Sequence, residues 1–431
     1  MVPHLITALN GPINELEQRI LDSVPAIERW FRLEWMEHTP PFYSSANIRN
    51  AGFKVAPMGT SLYPRGWNNL TPEMVLLAVQ AAQAAIEKIC PEAGNLLLIP
   101  ENHSHDTFYL ANVAQLVRIF QAAGLNARIG SIDPAIKSPK KIELPDGQSV
   151  VLEPVMRSKH RLSLKDFNPC TILLNNGLAA GIPGILEDLH EQYLLPPLHA
   201  SWPVRRKSNH FRSYEEVAKR FGKLLGIDPW LIAPMTAQAQ GIDFARDNDL
   251  DVIATHCAAL LTKIRRKYKE YGISEKPFVV IKPDGSSQGA GVITVRHPAG
   301  LMRLDHETRA RMSACRSGEE PGDFLIQEGL PTCERVHDNL AEPVVYMIDR
   351  YVVGGFYRVR ADRETDESFN ASGASFVPLA FSESVRLPQS GAAPGVSPPN
   401  RFYMYGVLAR LGMAAASHEL EATDPDVELY E

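Results

Sequence analysis

Residues 278–295, FVVIKPDGSSQGAGVITV, place Lys282 at the end of an apolar run. A loop with Gly285, Gly289 and Gly291 follows, and then a second apolar run. Glycines let backbone N–H groups approach phosphate oxygens, the hydroxyls of Ser286 and Ser287 add donors, and Lys282 adds positive charge. Such a segment could cradle a polyphosphate. Because the loop joins two strand-like runs, it is neither a Walker loop nor a Rossmann turn. A plain Gly-rich hairpin with Lys282 at a solvated edge is the competing reading. The stretch FLIQEGLPT (324–332) reads as a buried strand ending in Gln327–Glu328 and opening into Gly329–Leu330. Its backbone could hydrogen-bond an adenine edge while the polar side chains face the exocyclic amine or the ribose. A hairpin, AEPVVYMIDRYVVGGFYRVRA (341–361), is followed by DESFNASGASF (366–376). Glu342, Glu367 and Asn370 offer oxygen ligands for Mg²⁺, and Arg358 offers a cation for a transferring phosphoryl group.

A second kind of chemistry is suggested upstream. Residues 47–69 carry Asn47, Arg49, Asn50, Lys54, Arg65, Asn68 and Asn69, a density of cations and amides suited to the carboxylates of an amino acid. Arg49 and Arg65 could each grip a carboxylate as a fork. A solvated, positively charged surface loop is the competing reading. PENHSHD (100–106) and LLNN (173–176) follow apolar runs at the positions where open α/β sheets bind ligands, so Asn102, His103 and His105 could line the cleft. The two histidines are spaced like turn residues, and no transition-metal site is expected.

These groups need a scaffold. One or two helices are expected over 12–38, and a helix capped by Thr71 with Pro72 in its first turn should run to Cys90–Pro91. NLLLIP (95–100), a helical stripe ending at Gly124, and NARIGSI form a βαβ unit, hence a parallel sheet. A hairpin around 145–147 and a third buried strand, TILLNN, follow. The stretch between Ser44 and Leu70 is too irregular in pattern for either regular element. Ser213 and Glu216 have capping-box spacing and should open a helix through Leu225, and DPWLIAP looks strand-like. A long helix is expected over 250–271, short strands from Pro277 onward, and a last helix capped by Asn400. The divisions proposed are 1–200, 201–275 and 276–431.

The chain has 431 residues, 44 Lys plus Arg and 50 Asp plus Glu, for a net charge of −6. That balance disfavours a nucleic-acid binder, so any basic site must be a local concentration. No apolar run reaches the roughly 18–20 residues that cross a bilayer, and the start, MVPHLITALNGPINELEQ, lacks the pattern of a secretory leader. Five scattered cysteines with no CxxC pair argue for a reducing, cytoplasmic setting. Oligomeric state stays open, a homo-oligomer included.

The order of the three C-terminal segments, with RRKSNHF (205–211) ahead of them, resembles the ATP-grasp superfamily. That resemblance implies a Rossmann-like N-terminal domain followed by a two-lobed ATP-grasp domain, an α/β and α+β architecture, with Lys207 as a further phosphate-binding lysine. RNAGFKVAP (49–57), LYPRGWNNL (62–70), IDPWLI (227–232), AEPVVYMIDR (341–350) and GGFYRV (354–359) are also similar to the proteobacterial type of the glutamate–cysteine ligase family. It implies ATP-dependent formation of γ-glutamylcysteine through an acyl phosphate, with ATP and Mg²⁺ and with small amino acids as partners. Lys282 and Arg358 would act in catalysis. Lys207, Lys282, the 285–291 loop and residues 327–330 would bind ATP, and Glu342 and Asn370 would hold the metal. Asn47, Arg49, Lys54, Arg65, Asn68 and Asn69 would bind the amino acid. An ATP-grasp kinase or ligase acting on another small acid, and a nucleotide binder without turnover, remain open alternatives.

Overall fold

The computed structural model describes residues 12–102, 106–285, 291–314, 322–360, 374–379 and 401–425. The helices Pro12–Asp22, Val24–Glu37, Pro72–Ile89, Thr107–Ala122 and Asp247–Glu270 lie where periodicity and caps place them. The Thr71 side chain accepts from the Met74 N–H, as an N-cap should. A parallel sheet runs in the order Tyr193–Leu195, Thr171–Asn175, Asn95–Pro100, Asn126–Ser131, Ser149–Pro154, and Lys140–Glu143 closes it as an antiparallel edge. Leu96–Ile99 and Ile172–Leu174 in its neighbouring strands are continuous buried apolar runs, as expected where both faces of a sheet are covered.

A four-stranded antiparallel sheet joins Thr236–Ile242, Gly322–Glu328, Val279–Pro283 and Ile293–Val295 in that order. The helix Asp247–Glu270 packs its apolar stripe (Leu250, Ile253, Leu260, Leu261, Ile264) into the core of this layer. A third sheet takes strands from both ends of the chain. Ser375–Pro378, Tyr351–Arg360 and Asn339–Ile348 continue into Tyr43–Asn50 and Val55–Ser61, and no single cut of the sequence isolates it.

Residues 43–61 are therefore two strands and not an irregular stretch. Their pattern is not alternating because Tyr43–Asn50 is buried at all but one position, with its polar residues paired inside the protein. Asn50, for example, donates to Glu334 Oε1 (2.7 Å) and to the Tyr405 hydroxyl (3.2 Å). Two further expectations are corrected. The helix assigned to Ser213 starts at Lys207, so Ser213 and Glu216 lie inside it. Its cap is tertiary: Asp284 Oδ1 accepts from the Ser208 N–H at 2.7 Å and Asp284 Oδ2 from the Ser208 hydroxyl at 2.6 Å. Within DPWLIAP, Pro229–Leu231 is a 3₁₀ turn held by Asp228 and not a strand.

The helix Phe402–Ala422 is buried on nearly every side, from Met404 to Leu420, as a helix without a polar face must be. It packs against the helix Lys207–Leu225 and against strands of the third sheet. Asn400, read as its cap, lies outside the described residues. Among the described residues no helix is long and apolar enough to cross a membrane.

Candidate active site

The four-stranded sheet and the third sheet face one another across a cavity of about 440 Å³. From the first come Phe278, Val280, Lys282 and Thr294; from the second come Asn47, Arg49, Met58, Glu342 and Arg358; Arg205, Lys207 and His210 close one side. Among the described residues, six basic side chains line it (Arg49, Arg65, Arg205, Lys207, Lys282 and Arg358) against two carboxylates, Glu101 and Glu342. In a chain of net charge −6 this is the local concentration of positive charge that an anionic ligand needs.

Lys282 sits on the strand Val279–Pro283, and its Nζ donates to the Met58 carbonyl (2.9 Å) and to the Gln327 side-chain oxygen. Burial lowers its pKa to about 8, with Arg49 lowering it further and Glu342 opposing. Lys207 opens its helix, and its Nζ donates to the Pro283 carbonyl at 2.7 Å. Burial lowers its pKa to about 7 against the opposing field of Asp284. Both ammonium groups are thus held at a desolvated wall, where an incoming anion would restore their charge.

Glu342 and Arg358 are direct cross-strand partners. The Glu342 carboxylate lies 3.8 Å from Arg49 Nε and 3.9 Å from Arg358 Nη1, and Arg358 Nη2 is 3.4 Å from Asn47 Oδ1. Arg49 also donates to the Leu330 carbonyl at 3.0 Å. The strand-to-strand registers 43–50 against 339–348 and 339–348 against 351–360 bring these residues together across nearly 300 positions of sequence. Arg65 is paired with Glu101 and lies over the Tyr109 ring.

Several sequence candidates are placed elsewhere. Lys54 and Glu328 form a fully buried ion pair at 2.9 Å, with Trp230 Nε1 and the Met235 N–H completing the carboxylate's bonds. Neither lines the cavity, and burial lowers the Lys54 pKa despite Glu328. Gln327 is buried beneath Lys282 and reaches the cavity only through it. Asn68 and Asn69 sit on the 3₁₀ turn Trp67–Asn69, outside the lining, and Asn102 is exposed. Asn175 is structural: it bonds the Tyr43 hydroxyl (3.1 Å) and the Pro64 carbonyl (2.9 Å). Asn50 belongs to the core network with Glu334. Gly329 does not line the cavity but permits its wall, since a Cβ there would sit 2.0 Å from the Phe278 ring. Gly285 and Gly291 flank the loop, and Val292 beside Gly291 lines the cavity. Ser286, Ser287, Gly289, Glu367, Asn370, His103 and His105 lie outside the described residues.

Sequence reasoning missed a second layer. Arg205 makes three hydrogen bonds to Glu419 (3.0, 3.1 and 3.0 Å) and one to the Thr60 carbonyl (2.9 Å), while His210 Nδ1 lies 3.1 Å from the same carboxylate. Burial alone would raise Glu419, but Arg205 and His210 outweigh it and hold the carboxyl below its ordinary value. The doubled arginine of RRKSNHF was the available signal; its partner 214 residues away was not. Gly177 makes room for another wall residue, because a Cβ there would lie 2.3 Å from Trp202. One further group, Glu34, His38 and His418, gathers metal-type ligand atoms within 4.8 Å of one another. Arg220 already bridges two of them, with Nη2 2.9 Å from His418 Nε2.

Fold and charge together define a mixed α/β protein with a cavity rich in basic side chains between two sheets. The family model for GshA, glutamate-cysteine ligase, matches residues 17–420. A crystal structure from Methylobacillus flagellatus KT, of a protein provisionally named gamma-glutamylcysteine synthetase, is 48% identical in sequence. The match has a TM-score of 0.90 and covers 98% of this chain and 100% of that one. No curated protein matches the chain. The chain belongs to the glutamate–cysteine ligase family, a family of enzymes.

Proposed function

We propose that this enzyme joins the γ-carboxylate of glutamate to the amino group of cysteine at the expense of ATP, in the cytoplasm, as the first step of glutathione synthesis. The observation that carries the reading is the shared cavity: Lys207 and Lys282 line it together with the cross-strand pair Glu342–Arg358. Lysines from two separate parts of the chain, facing a carboxylate–arginine pair, suit a triphosphate aimed at a bound acid. The two facing sheets, most of whose strands follow the parallel α/β layer in the chain, are in keeping with a Rossmann-like domain followed by an ATP-grasp domain.

A carboxylate and an amine do not condense spontaneously in water, so the carboxylate is first converted to an acyl phosphate. The protein's task is positioning and charge neutralisation along the in-line path. In this reading Lys207 and Lys282 hold phosphate oxygens, and the 285–291 loop covers the terminal phosphate. Phe278, Val280, Met58 and Leu330 offer the base an apolar wall. Arg358 stabilises charge on the transferring group and then on the tetrahedral intermediate. In the same reading Arg49, Asn47 and Arg65, which line the cavity, orient the amino acid. Closing the cavity protects the acyl phosphate from water.

Glu342 is a buried carboxylate on the cavity wall, and a hard cation commonly uses one or two carboxylates together with substrate phosphates. The donor chemistry fits Mg²⁺, which Glu342 would hold with Asn370 the second candidate, and the ion would supply positive charge against the phosphates.

The test is ADP release with glutamate, aspartate and a panel of amines including cysteine, followed by mass spectrometry of the product. Turnover should require ATP, glutamate and cysteine together and yield γ-glutamylcysteine. ADP formation with a single organic substrate and a stable phosphorylated product would make the protein a kinase. Tight ATP binding without turnover across the panel would make it a binding protein.

A further inference from the structure

Two partly exposed thiols face one another outside the cavity lining. Cys90 terminates the helix Pro72–Ile89, and Cys170 immediately precedes the strand Thr171–Asn175. Their sulfurs are 3.9 Å apart, with Cys90 donating to Cys170. Cys170 in turn lies 3.7 Å from the Asn95 carbonyl and 3.7 Å from the Thr171 hydroxyl. Both backbones are pinned: the Cys90 N–H bonds the Ile86 carbonyl at 2.8 Å, and the Cys170 carbonyl accepts from the Tyr193 N–H at 2.9 Å. Cys257, by contrast, is fully buried and has no such neighbour among the described cysteines.

We propose that Cys90 and Cys170 form a reversible dithiol–disulfide clamp that closes by exchange with a small-molecule disulfide and ties the Pro72–Ile89 helix to the parallel sheet. A disulfide bond is about 2.05 Å long, so the sulfurs must approach by roughly 1.9 Å, a shift of the size that side-chain rotation supplies. The Cys90 S–H is directed at the Cys170 sulfur and the Cys170 S–H at the Asn95 carbonyl, and Cys170 is assigned as the attacking group. Burial and the neighbouring sulfur raise the Cys90 thiol above its ordinary range, which keeps it the donor until the second step. Cys170 attacks R–S–S–R, forms a mixed disulfide and expels one R–S⁻. Cys90 then gives up its proton and displaces the second R–S⁻ from Cys170. The two thiol protons end on two R–SH; the protein loses two electrons and the small disulfide gains them.

The cross-link closes a loop between residues 80 apart in sequence. Its helix packs on the third sheet, while its strand belongs to the parallel one, so the bond spans two layers. Neither thiol lines the cavity. The clamp therefore acts on stability and leaves the site intact.

The test incubates the full-length enzyme with excess glutathione disulfide, followed by alkylation and peptide mapping. Wild type should lose two hydrogens in mass and give a Cys90–Cys170 linked peptide that dithiothreitol cleaves. Its melting midpoint should rise by roughly 5 °C, with turnover within about twofold of the reduced enzyme. Cys90→Ser should instead keep one glutathione adduct on Cys170 and show no rise. The proposal is overturned by a wild type that retains both thiols at saturating disulfide. It is equally overturned by one that stops at the glutathione adduct on Cys170, by a linked form with an unchanged midpoint, or by one that has lost turnover.

Discussion

Binding of ATP should draw protons out of solution. In the free protein burial lowers Lys207 to about 7 and Lys282 to about 8. At pH 8 this leaves Lys207 about one-tenth charged and Lys282 about half charged. A triphosphate in contact with both would return them to the ordinary lysine range, so binding takes up about 0.9 plus 0.5, or about 1.4 protons at that pH. At pH 6 both are already charged and uptake falls to about 0.1. Affinity should then fall by about 25-fold per pH unit near pH 8 and be nearly flat near pH 6. Calorimetry of ATP binding without amino acids, in buffers of different ionisation enthalpy at pH 6, 7, 8 and 9, gives the proton count directly. The same lysines set the sign for the unliganded fold. Between about pH 7 and 10 the unfolded chain binds more protons at these sites than the folded one, so their contribution to stability rises with pH across that window. Uptake below about 0.3 proton at pH 8 would refute the assignment of the two lysines to the phosphates.

Three substitutions extend the reasoning. Lys282→Met should lower turnover by about 10²–10³-fold, cut proton uptake at pH 8 to about 0.9, and leave the melting midpoint nearly unchanged; near wild-type turnover would remove Lys282 from catalysis. Glu419→Gln strips the buried Arg205 of its counter-charge and should cost about 3 kcal/mol in urea unfolding, a loss below about 1 kcal/mol counting against the network. Gly177→Ala forces a Cβ to within 2.3 Å of Trp202; it should cost about 1–3 kcal/mol and shift tryptophan fluorescence. An unchanged spectrum and midpoint would show that this wall is plastic.

The parts legible without a structure are those written in local pattern. Thr71 and Pro72 announce their helix, and NLLLIP and TILLNN announce buried parallel strands, because caps and continuous apolar runs act within a few residues. Lys282, Arg49, Arg65, Glu342 and Arg358 stand out by their sequence context and Lys207 by the ATP-grasp resemblance, and all six line the cavity. Leu330 was named as well, and its carbonyl anchors Arg49.

Other features depend on partners the chain meets only after folding. The strands 43–61 look irregular because their polar residues are satisfied by Glu334, Tyr405 and a strand almost 300 residues away. Lys54 and Glu328 carry ligand-binding side chains yet face each other, since two charges buried in one core must pair. The cap of the Lys207 helix comes from Asp284, and the anchor of Arg205 comes from Glu419. The sequence by itself determined the helices, the apolar strands and the stock of charged groups, because backbone propensity and hydrophobic period are local. Which charges point into the cavity and which are spent inside the core was decided by tertiary structure, because desolvation couples residues by distance in space and takes no account of their order in the chain.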